Sequence, residues 1–132
     1  MTQVLSTEEA VRDVLRGTMA AWADNDADAF VSDYADDVTV VLSSGPYHRG
    51  KDAVREYMAR GFAGPFRGTK GIDQPEDIRV LGDDAAIVVS RSGYQLPDET
   101  EVPADRFLRA TWVLAKENGR WLIKSYHSSP IA

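Results

Sequence analysis

Val11, Val14, Leu15, Thr18, Met19 and Trp22 fall at i, i+3, i+4, i+7, i+8 and i+11, the spacing of one helix face. Ser6 with Glu9 three residues on makes a capping box ahead of that face, and Asn25 offers a stop. A second short helix follows, with Asp26 or Asp28 as cap, Phe30 and Tyr34 on its inner side, and Asp36-Asp37 at its end. Val38 to Leu42 is β-branched and reads as a strand. After the turn Ser43-Ser44-Gly45-Pro46 and the short extended run Tyr47 to Arg49, Gly50 opens a third helix to about Phe62. Its inner face is Val54, Tyr57, Met58 and Gly61, and Ala63 to Gly71, rich in glycine, is a loop.

Everything beyond reads as β: Asp77 to Leu81, Ala85 to Tyr94, Asp105 to Ala115 and Arg120 to Ser128. The dipeptide Asn118-Gly119 predicts a two-residue type I′ hairpin, which fixes the register of the last two strands. Glu117 then pairs with Arg120, Leu114 with Ile123, Trp112 with Ser125 and Ala110 with His127. Leu114, Trp112 and Ala110, with Ile123, Ser125 and His127 opposite them, share one face with Trp121. Arg109, Thr111, Val113 and Ala115 share the other with Leu122, Lys124 and Tyr126. Both faces are apolar in large part, so helices cover one and the other is a candidate dimer surface.

The pattern accounts for all 132 residues as one domain, 1–132. Fifteen Lys and Arg against 21 Asp and Glu leave a net charge of −6, the wrong sign for binding phosphate backbones or an anionic membrane. The absence of cysteine removes disulfides, thiol nucleophiles and thiolate metal sites. With no leader pattern in Met1 to Ser6, the cytoplasm is the expected compartment.

Three helices followed by strands, ending in Gly119-Arg120-Trp121-Leu122-Ile123-Lys124-Ser125-Tyr126-His127-Ser128-Ser129, resemble the NTF2-like (SnoaL-like) superfamily. Trp22-Ala23, Phe30 to Val38, Tyr47 to Lys51 and Leu81 to Ala85 fit the same pattern in order. Within it the chain looks most like the SgcJ/EcaC type, some members of which accompany enediyne and other polyketide pathways. The resemblance implies an α+β cone, with three N-terminal helices packed on a strongly curved antiparallel sheet. It also implies a pocket at the open end and a homodimer through the sheet's outer face.

His127 is the candidate general acid or base, because imidazole titrates near neutrality and its strand position is expected to face the pocket. The competing reading is a histidine held in the pocket wall. Trp22, Tyr34, Tyr57, Tyr94 and Trp112, with Ser125, are the candidate ligand contacts, a lining suited to a flat or polyene-like molecule. Isomerases and cyclases that share the resemblance use a carboxylate inside the pocket. The inward face of the last two strands carries none, and Asp105 is the one exception considered. Arg91 and Arg109 read as interface residues.

Gly45 to Asp52 matches a P-loop spacing except that Asp52 stands where a hydroxyl is needed and Pro46 removes a cradle N–H. No dinucleotide fingerprint is present, and two histidines are too few for a metal site, so neither cofactor nor metal is expected. The leading expectation is therefore an accessory protein of antibiotic biosynthesis that binds a hydrophobic small molecule. Its rivals are an isomerase or cyclase using His127, and a dimeric interaction domain without catalysis.

Overall fold

The computed structural model describes residues 6–131, so the stretch read for a leader, Met1 to Leu5, lies outside the described residues. Helix α1 (Thr7–Ala23) starts where the capping box puts it, with the Glu9 amide donating to Ser6 Oγ at 3.1 Å. It buries Val11, Leu15 and Thr18, and half-buries Val14, Met19 and Trp22 on the same face. Asn25 closes the end with φ +51, and its side chain bonds the Trp22 and Thr69 carbonyls and the Gly68 amide. Helix α2 (Ala27–Phe30) is a single turn capped by Asp26. It stops at Phe30, short of the expected Asp36-Asp37, because strand β1 (Tyr34–Val41) already begins at Tyr34.

Strand β2 (Tyr47–Arg49), helix α3 (Lys51–Ala63), β3 (Lys70–Leu81), β4 (Ala85–Gln95), β5 (Leu108–Glu117) and β6 (Arg120–Pro130) follow among the described residues. A short 3-10 turn at Ala104–Arg106 leads into β5. The six strands form one sheet in the order β2-β1-β6-β5-β4-β3, in which β1 runs parallel to β6 and the other pairs are antiparallel. Two expectations are corrected here. The sheet is mixed, and α3 is inserted between β2 and β3, so among the described residues two helices precede the first strand. The run Gly45 to Asp52 contains β2 itself, so it does not form the single loop that a phosphate cradle needs.

Strand β3 begins at Lys70, seven residues before the expected Asp77. Gly71 and Pro75 disguise its front half in the sequence. Proline is tolerated because β3 is the edge strand and its register shifts between Pro75 and Asp77.

The Asn118-Gly119 hairpin forms with both residues at positive φ, and Glu117 pairs with Arg120 and Leu114 with Ile123 as expected. Beyond Leu114 the register slips by one. Val113 faces Ser125, Trp112 faces Tyr126 and Ala110 faces Ser128, which leaves Lys124 as the extra residue of a β-bulge. The Lys124 ammonium bonds Asp37 at 2.8 Å and Glu117 at 3.0 Å on the outside. Because side chains alternate with period two, one inserted residue exchanges the faces of everything after it. Tyr126 and Ser128 turn inward, while Ser125 and His127 turn outward.

The core lies between the concave face and the helices, where Val11, Leu15, Phe30, Val38, Val54, Met58, Val88, Leu114 and Ile123 are buried together.

Candidate functional site

The bulge decides which residues reach the interior. An inner row runs across the sheet from His48 on β2 through Val40, Tyr126 and Trp112 to Val88, each directly paired with the next. Above this row the helices leave a cavity of about 360 Å³, within the usual range for small-molecule sites. Its walls come from α1 (Met19, Trp22), α2 (Phe30), α3 (Val54, Tyr57, Met58) and the inner faces of the strands. Exposed Ser43 and Ser44 stand at its rim.

Five of the sequence candidates, Trp22, Tyr34, Tyr57, Tyr94 and Trp112, come together around this cavity. Trp22 and Tyr94 are stacked with centroids 6.1 Å apart, Phe30 packs on Tyr34 at 5.5 Å, and Trp112 meets Tyr126 at 4.4 Å. The indole N–H groups are already engaged: Trp22 Nε1 donates to Thr69 Oγ1 at 2.8 Å and Trp112 Nε1 to Asp73 Oδ1 at 3.0 Å. The two tryptophans therefore line the cavity with their N–H groups already spent, and the polar groups of the lining are tyrosine and serine hydroxyls, a histidine and Arg106. Burial pushes the hydroxyls of Tyr34, Tyr57 and Tyr126 up from their ordinary value, so all three remain protonated donors at neutral pH.

The other two candidates are corrected by the bulge. His127 is exposed on the outer face, opposite Thr111 and Val41, and does not line the cavity. Ser125 also faces outward, where its hydroxyl lies 3.0 Å from Thr39 Oγ1. Their places inside are taken by Tyr126 and Ser128, both of which line the cavity. Arg109 and Arg91 keep to the outer face as expected. Arg109 pairs with Glu76 of its own chain, and Arg91 lies 3.8 Å over the Phe107 ring.

The inner carboxylate that the last two strands lack is supplied by β3. Asp73 pairs with Ser92 across the β3–β4 ladder and points to the concave side. Its Oδ1 accepts from Ser92 Oγ at 2.8 Å and from Trp112 Nε1, and its Oδ2 accepts from Ser90 Oγ at 2.9 Å. Burial raises the Asp73 carboxyl above its usual range, and the bonds from Ser92, Trp112 and Ser90 oppose the shift without cancelling it. Ser92 and Trp112 line the cavity and Asp73 stands directly behind them. Asp105, the carboxylate considered from sequence, is exposed in the 3-10 turn. No sequence signal singled out Asp73, because Gly71 and Pro75 mask the front half of β3.

No curated protein matches the chain. Among solved structures, it is similar to a domain of unknown function with a cystatin-like fold from Nostoc punctiforme, at 18% identity and TM-score 0.87. That match covers 98% of this chain and 80% of the other. An NTF-2 like protein of unknown function from Shewanella oneidensis matches at 21% identity and TM-score 0.79, over 94% and 99% of the two chains. A ketosteroid isomerase-like protein from Erwinia carotovora atroseptica matches at 19% identity and TM-score 0.75, over 97% and 99%. These likenesses place the fold as cystatin-like, or NTF2-like, α+β. The model of the SnoaL-like domain matches residues 11–132, nearly the whole sequence, and the chain belongs to the SnoaL-like family.

Proposed function

We propose that the protein binds a largely apolar small molecule in the cavity between its helices and sheet. The observation that carries this reading is a space of about 360 Å³ walled by aromatic and aliphatic side chains, with tyrosine and serine hydroxyls converging on it. Ring faces of Trp22, Tyr94 and Trp112 favour a flat partner, since aromatic contacts combine large buried area with few rotatable bonds. The finer reading is a cytoplasmic accessory role in enediyne, polyketide or similar antibiotic biosynthesis, supported by the resemblance of the closing strand and by this lining. The test is native mass spectrometry of protein purified from its own organism. A bound adduct released on denaturation, and absent from Leu42→Trp, which fills the cavity with an indole, supports the reading. Protein that is always empty and binds no flat apolar probe refutes it.

A second reading, an isomerase or cyclase-type proton-transfer enzyme, is favoured by one specific observation. Asp73 is a carboxylate of raised proton affinity, linked through Ser92 Oγ to the cavity. Under this reading Asp73→Asn abolishes turnover and leaves ligand affinity nearly intact. Equal turnover in Asp73→Asn removes it.

Homodimerisation belongs to the same proposal. The outer face presents half-buried Ile87, Val89, Thr111 and Val113 in adjacent strands, with Tyr47 57% exposed at its margin. Sedimentation equilibrium gives the mass directly, and a monomer at micromolar concentration would overturn it.

A further inference from the structure

We propose that His48 is the polar anchor of the cavity's ligand, its Nε2 hydrogen-bonding a hydroxyl group on an otherwise apolar, planar molecule. The inference rests on the small-molecule reading above and names the chemistry of that molecule. His48 lines the cavity, and its Nε2 is buried with no hydrogen-bond partner among the described residues. Buried polar atoms are nearly always paired in native proteins, so an unpaired one on a side chain that lines a cavity is a candidate partner for a ligand atom.

The imidazole is held in place. Its ring packs on Tyr57 with centroids 4.5 Å apart, and His48 pairs with Val40 of β1. Immediately after β2 the Gly50 amide donates to the Val38 carbonyl at 2.7 Å, and Gly50 takes φ +94, a conformation that favours glycine. A donor or acceptor fixed before the ligand arrives loses little entropy on binding.

A ligand along the inner row meets the imidazole at one end and the Trp112 and Tyr126 rings at the other. His48 and Tyr126 are two strand spacings apart, roughly 10 Å, the length of two or three fused rings. A hydroxyl both donates and accepts, so it satisfies Nε2 in either neutral tautomer. A carboxylate fits poorly. Arg106, the cation lining the cavity, is already paired with Glu99, and Asp73 adds negative charge behind the wall.

The experiment compares 2-naphthol with 2-methylnaphthalene, which has nearly the same shape without the hydroxyl, by equilibrium dialysis against the full chain. The wild type is expected to bind 2-naphthol roughly tenfold more tightly, the effect of one hydrogen bond to an otherwise unpaired buried atom. His48→Phe keeps a ring in the wall, should abolish the preference, and should leave 2-methylnaphthalene affinity within about twofold. His48→Gln places an amide group near the position of Nε2 and should keep most of the preference, whereas His48→Asn is too short and should lose it. These two variants decide the matter should the phenylalanine variant not fold. Retention of the preference in His48→Phe, or equal binding of both probes by the wild type, overturns the anchor and leaves the cavity reading standing. Failure of the wild type to bind either probe overturns both.

Discussion

Trp112 and Asp73 hold one another, and the strength of that hold can be measured by removing the indole N–H. Trp112→Phe keeps most of the buried ring and deletes a 3.0 Å bond to Asp73 Oδ1. Trp112 is 2% exposed, so water cannot readily replace the lost donor. A hydrogen bond to a charged group contributes about 1.5–3 kcal/mol, and the carboxylate would be left with two serine hydroxyls for a charge that burial already disfavours. The smaller ring adds a packing loss of its own. A double-mutant cycle with Asp73→Ala cancels that loss, and its coupling energy should be about 2 kcal/mol at neutral pH, read from urea unfolding of the four proteins. The Asp73 carboxyl titrates above its usual range, so the coupling should be full above that raised value and shrink as pH falls through it, when the neutral acid accepts less strongly. Additivity within about 0.5 kcal/mol at neutral pH would refute the reasoning.

Asp73→Asn should show the complementary pH dependence. A native pKa above the unfolded value of about 3.9 means that ionised Asp73 costs stability at neutral pH. Wild type should therefore gain stability relative to Asp73→Asn as pH falls from the raised native value to about 3.9, and urea midpoints across that window check it. Deleting Lys124 removes the extra residue and leaves Val113 against Ser125 and Trp112 against Tyr126, so Tyr126 and Ser128 should stay inward and His127 outward. His127 should keep its reactivity towards diethyl pyrocarbonate while the protein loses about 0.5–3 kcal/mol, and protection of the His127 ring counts against the register argument. Asn25→Ala loses a left-handed residue and its three side-chain bonds, and should cost about 2–3 kcal/mol in thermal unfolding, with Asn25→Gly recovering the backbone share alone. Gly71→Ala sets a Cβ 2.8 Å from the Trp22 ring, so it should destabilise by about 1–3 kcal/mol and shift the tryptophan emission.

What could be read in the sequence was local. The Ser6 cap, the α1 face and the Asn118-Gly119 turn each depend on residues within a few positions of one another, and all three appear as expected. Five aromatic lining residues were legible for a related reason: large rings on helix faces or amid apolar strand patterns have few places to go but inward. The bulge at Lys124 was not, because its extra residue is held by Asp37 and Glu117, and Asp37 lies 87 positions from Lys124. That single shift moved the candidate site from His127 to Tyr126 and Ser128. Asp73 stayed hidden because Gly71 and Pro75 break a strand pattern that an edge position tolerates. His48 was visible as a histidine, but its unpaired nitrogen becomes meaningful only with Tyr57 and the cavity beside it.

The parallel pairing of β1 with β6 bears on how the protein is made. Thr39 and Ser125, neighbours across that seam, are 86 residues apart in the chain. Until β6 has left the ribosome, β1 with β2 on one side and β5, β4 and β3 on the other have no strand to join them. A nascent chain stalled before Arg120 would carry two further open sheet edges, on β1 and β5, and an uncovered apolar face, the surfaces on which chaperones and aggregation compete.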